Sequence, residues 1–309
     1  MVTTIIRIAL SSLIALVVGV LFLGLARKIV ARVHRRYGPP IYQPVIDVIR
    51  MMSQRSVSHG ALFELGVVLA LAGSFVTVLF IPLGGTAAPG QANPLAHGLL
   101  CPLCASGGLL VVVYLMLFGP LGLALGAGAS ANPNASIGVS RKMLLALAYE
   151  VPFLLVILTV MSHYGSTSLA DIVGRQQDAG WGVLSVPLSA VAAFLILPAM
   201  LGVRPFDVVT APQEIASGPL VEYGGACLAL ITVQKAVHLF VVIALFVDLF
   251  LGGGVNIATF LLKMLVVFVA AEMVNAVLPR IRIEDAVKFC WKWPTALALS
   301  QMMITVLSK

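Results

Sequence analysis

Ala226-Cys-Leu-Ala-Leu-Ile-Thr-Val-Gln-Lys-Ala-Val-His-Leu-Phe-Val-Val-Ile-Ala-Leu-Phe-Val-Asp-Leu-Phe-Leu251 is an apolar run interrupted only by a few polar side chains, among them Lys235, His238 and Asp248. A hydrocarbon core of roughly 30 Å needs about 20 helical residues to cross it, and this run is long enough. Lipid offers the backbone no hydrogen-bond partner, so a stretch of this kind is stable there as a helix.

Working outward, runs of the same character fall at 3–26, 61–83, 105–126, 143–163, 183–203, 255–278 and 294–308, which makes eight spans in all. The chain is 60% hydrophobic and 10% charged over 309 residues, more apolar surface than a water-soluble fold of this size can hide. No strand-like alternation is present. The expected fold class is therefore an all-α polytopic membrane protein of about eight transmembrane helices, with amphipathic helices in its cytoplasmic loops. Residues 1–309 form a single integral membrane domain without repeat, low-complexity linker or soluble module.

Cytoplasmic loops gather Lys and Arg, which tests the span count independently. Arg27, Lys28, Arg32, Arg35, Arg36, Arg50 and Arg55 follow span one, Arg141 and Lys142 precede span four, Arg204 follows span five, and Arg280, Arg282, Lys288 and Lys292 follow span seven. All of these fall on one side. The other side holds Arg7, Arg175 and Lys309, while Lys235 and Lys263 lie within spans. Both termini are accordingly expected on the non-cytoplasmic side of the cell membrane. The net charge of +7 is a topology signal, since its basic residues sit in separate loops beside spans and make no nucleic-acid-binding face. The first run is followed by its basic cluster and lacks a small-residue cleavage site, so it reads as a retained span.

The loops carry the polar chemistry. The first turns at Gly38-Pro39-Pro40, and its segment Ile41–Met52 has near-helical apolar spacing, which predicts a helix along the interface. The outward loop at 84–104 is uncharged and holds Cys101-Pro-Leu-Cys104, read as structural thiols or a local disulfide; a lone CxxC without a second pair is weak evidence for a metal or redox site. Cys227 and Cys290 are single and read as packing residues. Asp171, Arg175 and Asp178 in 164–182 fit a solvated surface helix. The inward connection Arg204-Pro-Phe-Asp-Val-Val-Thr-Ala-Pro-Gln-Glu-Ile-Ala-Ser-Gly-Pro-Leu-Val-Glu-Tyr-Gly-Gly225 concentrates Asp207, Glu214 and Glu222 at the membrane face. Its prolines and glycines account for turns, and Asp207 for a cap, but Glu214 and Glu222 exceed what turns require. A docking platform or an ion entrance fits them. The last inward loop, 279–294, alternates basic and apolar residues and ends in Trp291 and Trp293, an interfacial anchor that is also a surface for a soluble partner.

An ionisable residue at the bilayer centre costs about 2.5–3.5 kcal/mol on insertion scales, so each needs compensation or a purpose. Glu64 and Asp248 stand near helix ends, where snorkelling or capping accounts for them. Glu150, Lys235 and Glu272 lie deeper. His238 is three residues from Lys235 and shares its helix face, and as a lone residue it is equally well read as a neutral core histidine. Carboxylates, a lysine and a histidine lining a bundle can pass protons between them. Pairing of Glu150 with Lys235 across helices is permitted by the sequence. Lys263 completes the set.

No P-loop, dinucleotide fingerprint, zinc motif or serine triad is present, so this chain alone is not expected to perform bond chemistry or to hold a metal or cofactor.

Three segments together resemble a known family. They are Arg35-Arg36-Tyr37-Gly38-Pro39-Pro40 with Gln43-Pro44 and Asp47; Pro205-Phe206-Asp207 with Gln213-Glu214, Gly218-Pro219 and Glu222-Tyr223-Gly224-Gly225; and Pro279-Arg280-Ile281-Arg282 with Asp285 and Trp291. Tyr149-Glu150-Val151-Pro152 looks like the family's intramembrane glutamate motif. The family is that of membrane subunit 1 of respiratory complex I and its relatives in energy-converting membrane-bound nickel-iron hydrogenases and formate hydrogenlyases. The compact Gly38-Pro39-Pro40-Ile41-Tyr42-Gln43-Pro44 is similar to the hydrogenase versions. Where complex I versions carry an Ala-Glu-x-Asn-Arg run before Pro-Phe-Asp and Pro-Glu-Ala-Glu after it, this chain has Met200-Leu-Gly-Val-Arg204 and Val209-Thr-Ala-Pro212.

The resemblance implies a subunit that anchors a peripheral arm and couples it to ion translocation. Nickel-iron and iron-sulfur centres would lie in partner chains, namely hydrogenase large and small subunits and an iron-sulfur subunit, with antiporter-like membrane subunits alongside. Arg35, Arg36, Gln43, Asp47, Arg204, Asp207, Arg280, Arg282 and Asp285 would form the dock. Glu150, Glu214, Glu222, Lys235, His238 and Glu272 would line or feed the ion path. Alternatives are a quinone-site subunit of a complex I-type NADH dehydrogenase, a free-standing secondary transporter, and a structural anchor whose charges only pair with one another.

Overall fold

A computed structural model describes residues 2–55, 60–84, 102–103 and 108–307. Among them the chain is helical, with a single isolated bridge between Gly108 and Ser168. In chain order the helices are α1 (Val2–Val33), α2 (Gln43–Met52), α3 (Ala61–Val78), α4 (Leu109–Met116), α5 (Phe118–Gly128), α6 (Pro133–Tyr164), α7 (Leu169–Ala179), α8 (Gly182–Ser185), α9 (Pro187–Leu201), α10 (Pro212–Ile215), α11 (Gly225–Phe250), α12 (Ile257–Val277) and α13 (Ile283–Leu307).

Six stretches are long and apolar enough to cross a membrane by length and composition: α1, α3, α4 with α5, α6, α11 and α12. Helix α9 is apolar but shorter, and α13 is long but carries charges in its first turns. Together they account for the eight expected runs. The third run is interrupted between α4 and α5 at Leu117, where Pro120 supplies no N–H for the carbonyl of Met116.

Local signals explain the ends. Asn132 caps α6, its side-chain oxygen accepting from the Asn134 N–H at 2.9 Å, with Pro133 in the first turn. Gly165 and Gly202 close α6 and α9 with φ of 61° and 65°, a left-handed conformation that glycine adopts without steric penalty. The interface helix expected within 41–52 is α2, and the surface helix expected within 164–182 is α7.

One expectation needs correction. Residues 279–293 are not a loop preceding a short span: α13 starts at Ile283 and runs through Pro294 to Leu307. Proline at 294 cannot donate to the Cys290 carbonyl four residues back, but the Thr295 hydroxyl donates to that same oxygen at 3.0 Å. The freed acceptor is thereby satisfied and the helix continues.

The bundle packs around α11, whose buried face includes Phe240, Val241, Ile243 and Phe250, against α1, α3, α9 and α12, while α13 lies against α6 and α9. Close approach of α3 and α5 depends on glycine. A Cβ on Gly66 would sit 2.5 Å from the Gly122 carbonyl oxygen, and one on Gly122 would sit 2.5 Å from that of Gly66. Phe22 of α1 stacks on Phe268 of α12 with ring centroids 4.6 Å apart.

Candidate functional site

The segments 27–55, 126–142, 202–225 and 279–284 meet at one end of the bundle. The loop 202–225 is stitched to its surroundings by charge. Arg141 Nη1 of α6 lies 2.7 Å from Glu214 Oε2 of α10, and Arg280 Nη2 lies 2.9 Å from Asp207 Oδ2. Thr210 Oγ1 donates to Asp207 Oδ1 at 2.6 Å, and the side-chain amide of Asn132 donates to Glu222 Oε1 at 2.6 Å. Tyr223 stacks on Phe63 at the start of α3, centroids 4.1 Å apart. The prolines and glycines expected to make turns do so, with short helices at Pro212–Ile215 and Gly218–Leu220.

A cleft of about 560 Å³ opens beside this loop, lined by Arg141, Arg204, Arg280, Arg282, Glu214 and Glu284 among others. Four arginines against two glutamates make it electropositive. The Arg141 guanidinium bonded to Glu214 holds that carboxyl below the usual carboxylate range. Beneath the cleft, the Arg204 N–H donates to Asn275 Oδ1 at 3.2 Å, and the Asn275 amide donates to Glu272 Oε2 at 2.7 Å. Glu272 is 1% exposed, so Asn275 is its polar link toward the cleft.

A second patch lies at the α1–α2 junction. Arg27 Nη1 is 2.9 Å from Asp47 Oδ2, and Gln43 donates to the other oxygen of Asp47 at 3.0 Å. The hydrogen bond from Arg27, then that from Gln43, holds Asp47 below its ordinary range. Arg35 and Arg36 are exposed beside Tyr37, which is 95% exposed under the Arg32 guanidinium. Asp285 is exposed at the start of α13.

Deeper in the bundle, Lys142, Lys235 and His238 line a cavity of about 100 Å³ together with Gln234, Thr210 and Met200. Glu150 lines a smaller adjoining space of about 20 Å³ with Tyr149, Phe153, Met200 and His238. His238 and Met200 thus form the wall common to both. His238 Nε2 is 3.2 Å from the Met200 carbonyl oxygen, which can only accept, so this nitrogen carries a proton.

Glu150 and Lys235 do not pair: no ion pair joins them within 4.0 Å among the described residues, and the link between their surroundings is His238. The site residues therefore fall into three groups: Arg204, Arg280, Arg282, Asp207 and Glu214 at the cleft, with Glu272 beneath it; Arg35, Arg36, Gln43 and Asp47 at the α1–α2 patch; Glu150, His238 and Lys235 in the interior. Glu222 sits apart at the α5–α6 turn, and Asp285 beyond the cleft.

Sequence reasoning missed Arg27, Arg141, Lys142, Asn132 and Asn275 as site members. Arg141 and Lys142 entered only as topology markers, although a cation at the first turns of a span is visible in the sequence. The polar asparagines gave no signal. Asp248 is also more than a cap: it is fully buried, and neither carboxylate oxygen has a hydrogen-bond partner among the described residues. Lys263 donates to the carbonyls of Leu251 and Gly253 at 2.6 Å each. Glu64 is exposed in the first turn of α3, as expected of a residue near a helix end. Cys227 and Cys290 are buried free thiols, and Cys101 and Cys104 lie outside the described residues. No group of three or more His, Cys, Asp or Glu that could hold a metal occurs among the described residues.

The family model described as NADH dehydrogenase matches residues 6–306, nearly the full chain. The chain belongs to that family, the one built around membrane subunit 1 of complex I. Hydrogenase-4 component C of Escherichia coli K12 is 30% identical over 287 residues, spanning 87% of this chain and 86% of that protein. The H subunit of the F(420)H(2) dehydrogenase of Methanosarcina mazei is 28% identical over 89% of this chain and 86% of its own length. Among solved structures, a chain of the membrane-bound sulfane sulfur reductase, an archaeal respiratory membrane complex, superposes with a TM-score of 0.90 at 38% identity, covering 98% of this chain and 99% of that one. This member of the NADH dehydrogenase family is thus a membrane-embedded subunit of the complex I-like class of multi-subunit oxidoreductases. Its partners are other oxidoreductase subunits, and the free-standing transporter reading falls.

Proposed function

We propose that the chain is the membrane-anchor and ion-translocation-coupling subunit of an energy-converting hydrogenase or formate hydrogenlyase. It docks a peripheral arm whose nickel-iron and iron-sulfur centres reside in hydrogenase large and small subunits and an iron-sulfur subunit, and it links that arm to antiporter-like membrane subunits. The single observation that supports the coupling role is the placement of polar groups at the cleft and below it: the 202–225 loop is ion-paired to α6, the Arg204 N–H reaches Glu272 through Asn275, and His238 lines both the Glu150 space and the Lys142 and Lys235 cavity. In this reading Arg35, Arg36 and Asp285 face the arm. Asp47, Asp207 and Arg280 hold the docking loops in shape. Charge changes at the dock act on the loop carboxylates, and Glu272, Lys235, His238 and Glu150 answer by proton movement. The basic loops lie on the cytoplasmic side of the cell membrane, and both termini on the other.

The replacement of the acidic run by Met200-Leu-Gly-Val-Arg204 supports the hydrogenase branch over a quinone-site NADH dehydrogenase subunit. A second reading keeps the same membrane role under an arm of sulfane sulfur reductase type, and the 38% identity to a chain of that complex favours it. Purifying the tagged chain from native membranes in mild detergent, identifying what travels with it by mass spectrometry, and assaying hydrogen evolution on the same fraction separates these readings. A nickel-iron large subunit with activity supports the first. Sulfur-reducing or quinone-reducing partners without hydrogen evolution overturn it.

Within the assembled complex, Glu150→Gln should uncouple ion movement from electron transfer. An unchanged ion gradient would remove Glu150 from the path.

A further inference from the structure

Two features meet on the flank formed by α9, α12 and α13. The first is a groove of about 360 Å³ with an almost wholly apolar lining that includes Leu195 and Pro198 of α9, Val274 and Leu278 of α12, and Phe289 of α13. The second is the arginine cleft of about 560 Å³ at the same end of the bundle. Pro279 and Ile281 line both, so the groove runs directly into the cleft. The junction is built: the Ile281 N–H donates to the Pro205 carbonyl at 3.1 Å, and Phe206 packs on Phe289 with ring centroids 5.7 Å apart.

The arginines at the junction are not equivalent. Arg280 is taken by Asp207 and Arg141 by Glu214. Arg204 and Arg282 are exposed, and neither guanidinium has a carboxylate within 4.0 Å among the described residues. Glu284 also lines the cleft but is turned to solvent in the first turn of α13. Two uncommitted guanidiniums therefore stand where a membrane-embedded apolar groove reaches the interface. A ligand that satisfies both needs a hydrocarbon chain and an anionic group at its end.

We propose that this flank binds an anionic phospholipid, with an acyl chain in the groove along Leu195, Val274 and Phe289 and its phosphate on Arg204 and Arg282. Basic pockets between helices at a membrane surface recognise such headgroups through charge, and a guanidinium offers paired donors to phosphate oxygens. A neutral isoprenoid quinone fills the groove but leaves the arginines unanswered. The site does not depend on which peripheral arm the protein carries.

The test uses the whole complex, purified in mild detergent, stripped of loosely held lipid, and mixed with phosphatidylglycerol or phosphatidylcholine of matched chains before native mass spectrometry. The wild-type complex is expected to retain phosphatidylglycerol in roughly tenfold preference or more, because two arginines meet its anionic headgroup. R204Q/R282Q should abolish the preference, and V274W, which fills the groove without touching the arginines, should abolish retention of both lipids. Subunit composition on the same spectra shows whether each variant has assembled; if R204Q/R282Q does not assemble, V274W and the wild-type comparison decide. Equal retention of the two lipids by the wild type, or a preference that survives V274W, overturns the proposal. So does crosslinking that finds a helix of a neighbouring chain seated on Val274 and Leu278, or recovery of isoprenoid quinone from the groove in place of phospholipid.

Discussion

His238 donates from Nε2 to the carbonyl of Met200 across 3.2 Å, and the two residues together separate the space around Glu150 from the cavity of Lys142 and Lys235. A proton held at Nε2 leaves Nδ1 as the nitrogen free to exchange. Replacing His238 by Phe should keep electron transfer by the complex but lower its ion gradient roughly tenfold or more, the scale on which a positioned acid-base group acts. Reconstituted vesicles with a pH- or sodium-sensitive dye read this directly, and a gradient equal to that of the wild type would take His238 out of the path.

The Arg280–Asp207 pair is mostly shielded, with side chains 19% and 23% exposed, and Thr210 adds a second hydrogen bond to Asp207. Arg280→Gln or Asp207→Asn alone should destabilise the 202–225 loop by about 2 kcal/mol, because each leaves a hydrogen-bonded charge without its partner. The double substitution should recover part of that loss. A thermodynamic cycle on the purified complex measures the coupling, and strictly additive effects would mean that the pair contributes nothing.

Glu214 is held below its ordinary pKa of 4.5 by the hydrogen bond from Arg141, and Asp47 below 3.8 by that from Arg27. Each carboxylate binds its proton more weakly when folded, so its stabilisation is fully present above those ordinary values and disappears as the pH falls through the depressed ones. Hydrogen-exchange protection of 212–217 and 43–52, corrected for intrinsic rates, is therefore expected to stay flat from neutral pH down to about 5 and to decline below about 4. High salt should weaken both contacts, since they are exposed enough to be screened. Loss of protection between about pH 8 and 6 would contradict this assignment.

Asp248 has no hydrogen-bond partner for either carboxylate oxygen among the described residues. Asp248→Asn should leave the melting temperature of the complex unchanged or raised, because the carboxylate it removes makes no hydrogen bond that offsets its desolvation. A fall of several degrees in a thermal-shift assay would reveal that a neighbouring chain engages this carboxylate.

Gly66→Ala should break the contact of α3 with α5. The added Cβ meets the Gly122 carbonyl at 2.5 Å, and overpacking of this kind costs about 1–3 kcal/mol. Yield of the intact complex is the readout. Ala at Gly128, where a Cβ meets nothing within 4 Å, is the matched control and should assemble normally.

The fold was largely legible because lipid imposes one rule on every segment: apolar length gives helices, and Lys and Arg mark which ends lie together. The α13 start was hidden because Pro294 and the charges before it argue for a boundary, and the Thr295 hydroxyl that satisfies the Cys290 carbonyl is a rotamer-level detail that spacing does not announce. At the site, residue types were readable but partners were not. Asp47 and Asp207 announce themselves as polar residues in loops, yet nothing local says that they are committed to Arg27 and Arg280 while Arg204 and Arg282 stay uncommitted. Lys142 escaped for a related reason: it sits where a topology marker is expected, and its shared cavity with His238 depends on the packing of α6 against α9 and the course of α11.

The Thr295 hydroxyl bonded to Cys290 also sets a rule for sequence change along this helix. While position 294 is proline, a short hydroxyl at 295, serine or threonine, keeps the Cys290 carbonyl satisfied, and a drift to alanine or valine should cost less once 294 has regained an N–H. Positions 294 and 295 should therefore change in that order across the lineage, as a pair that records which substitution came first.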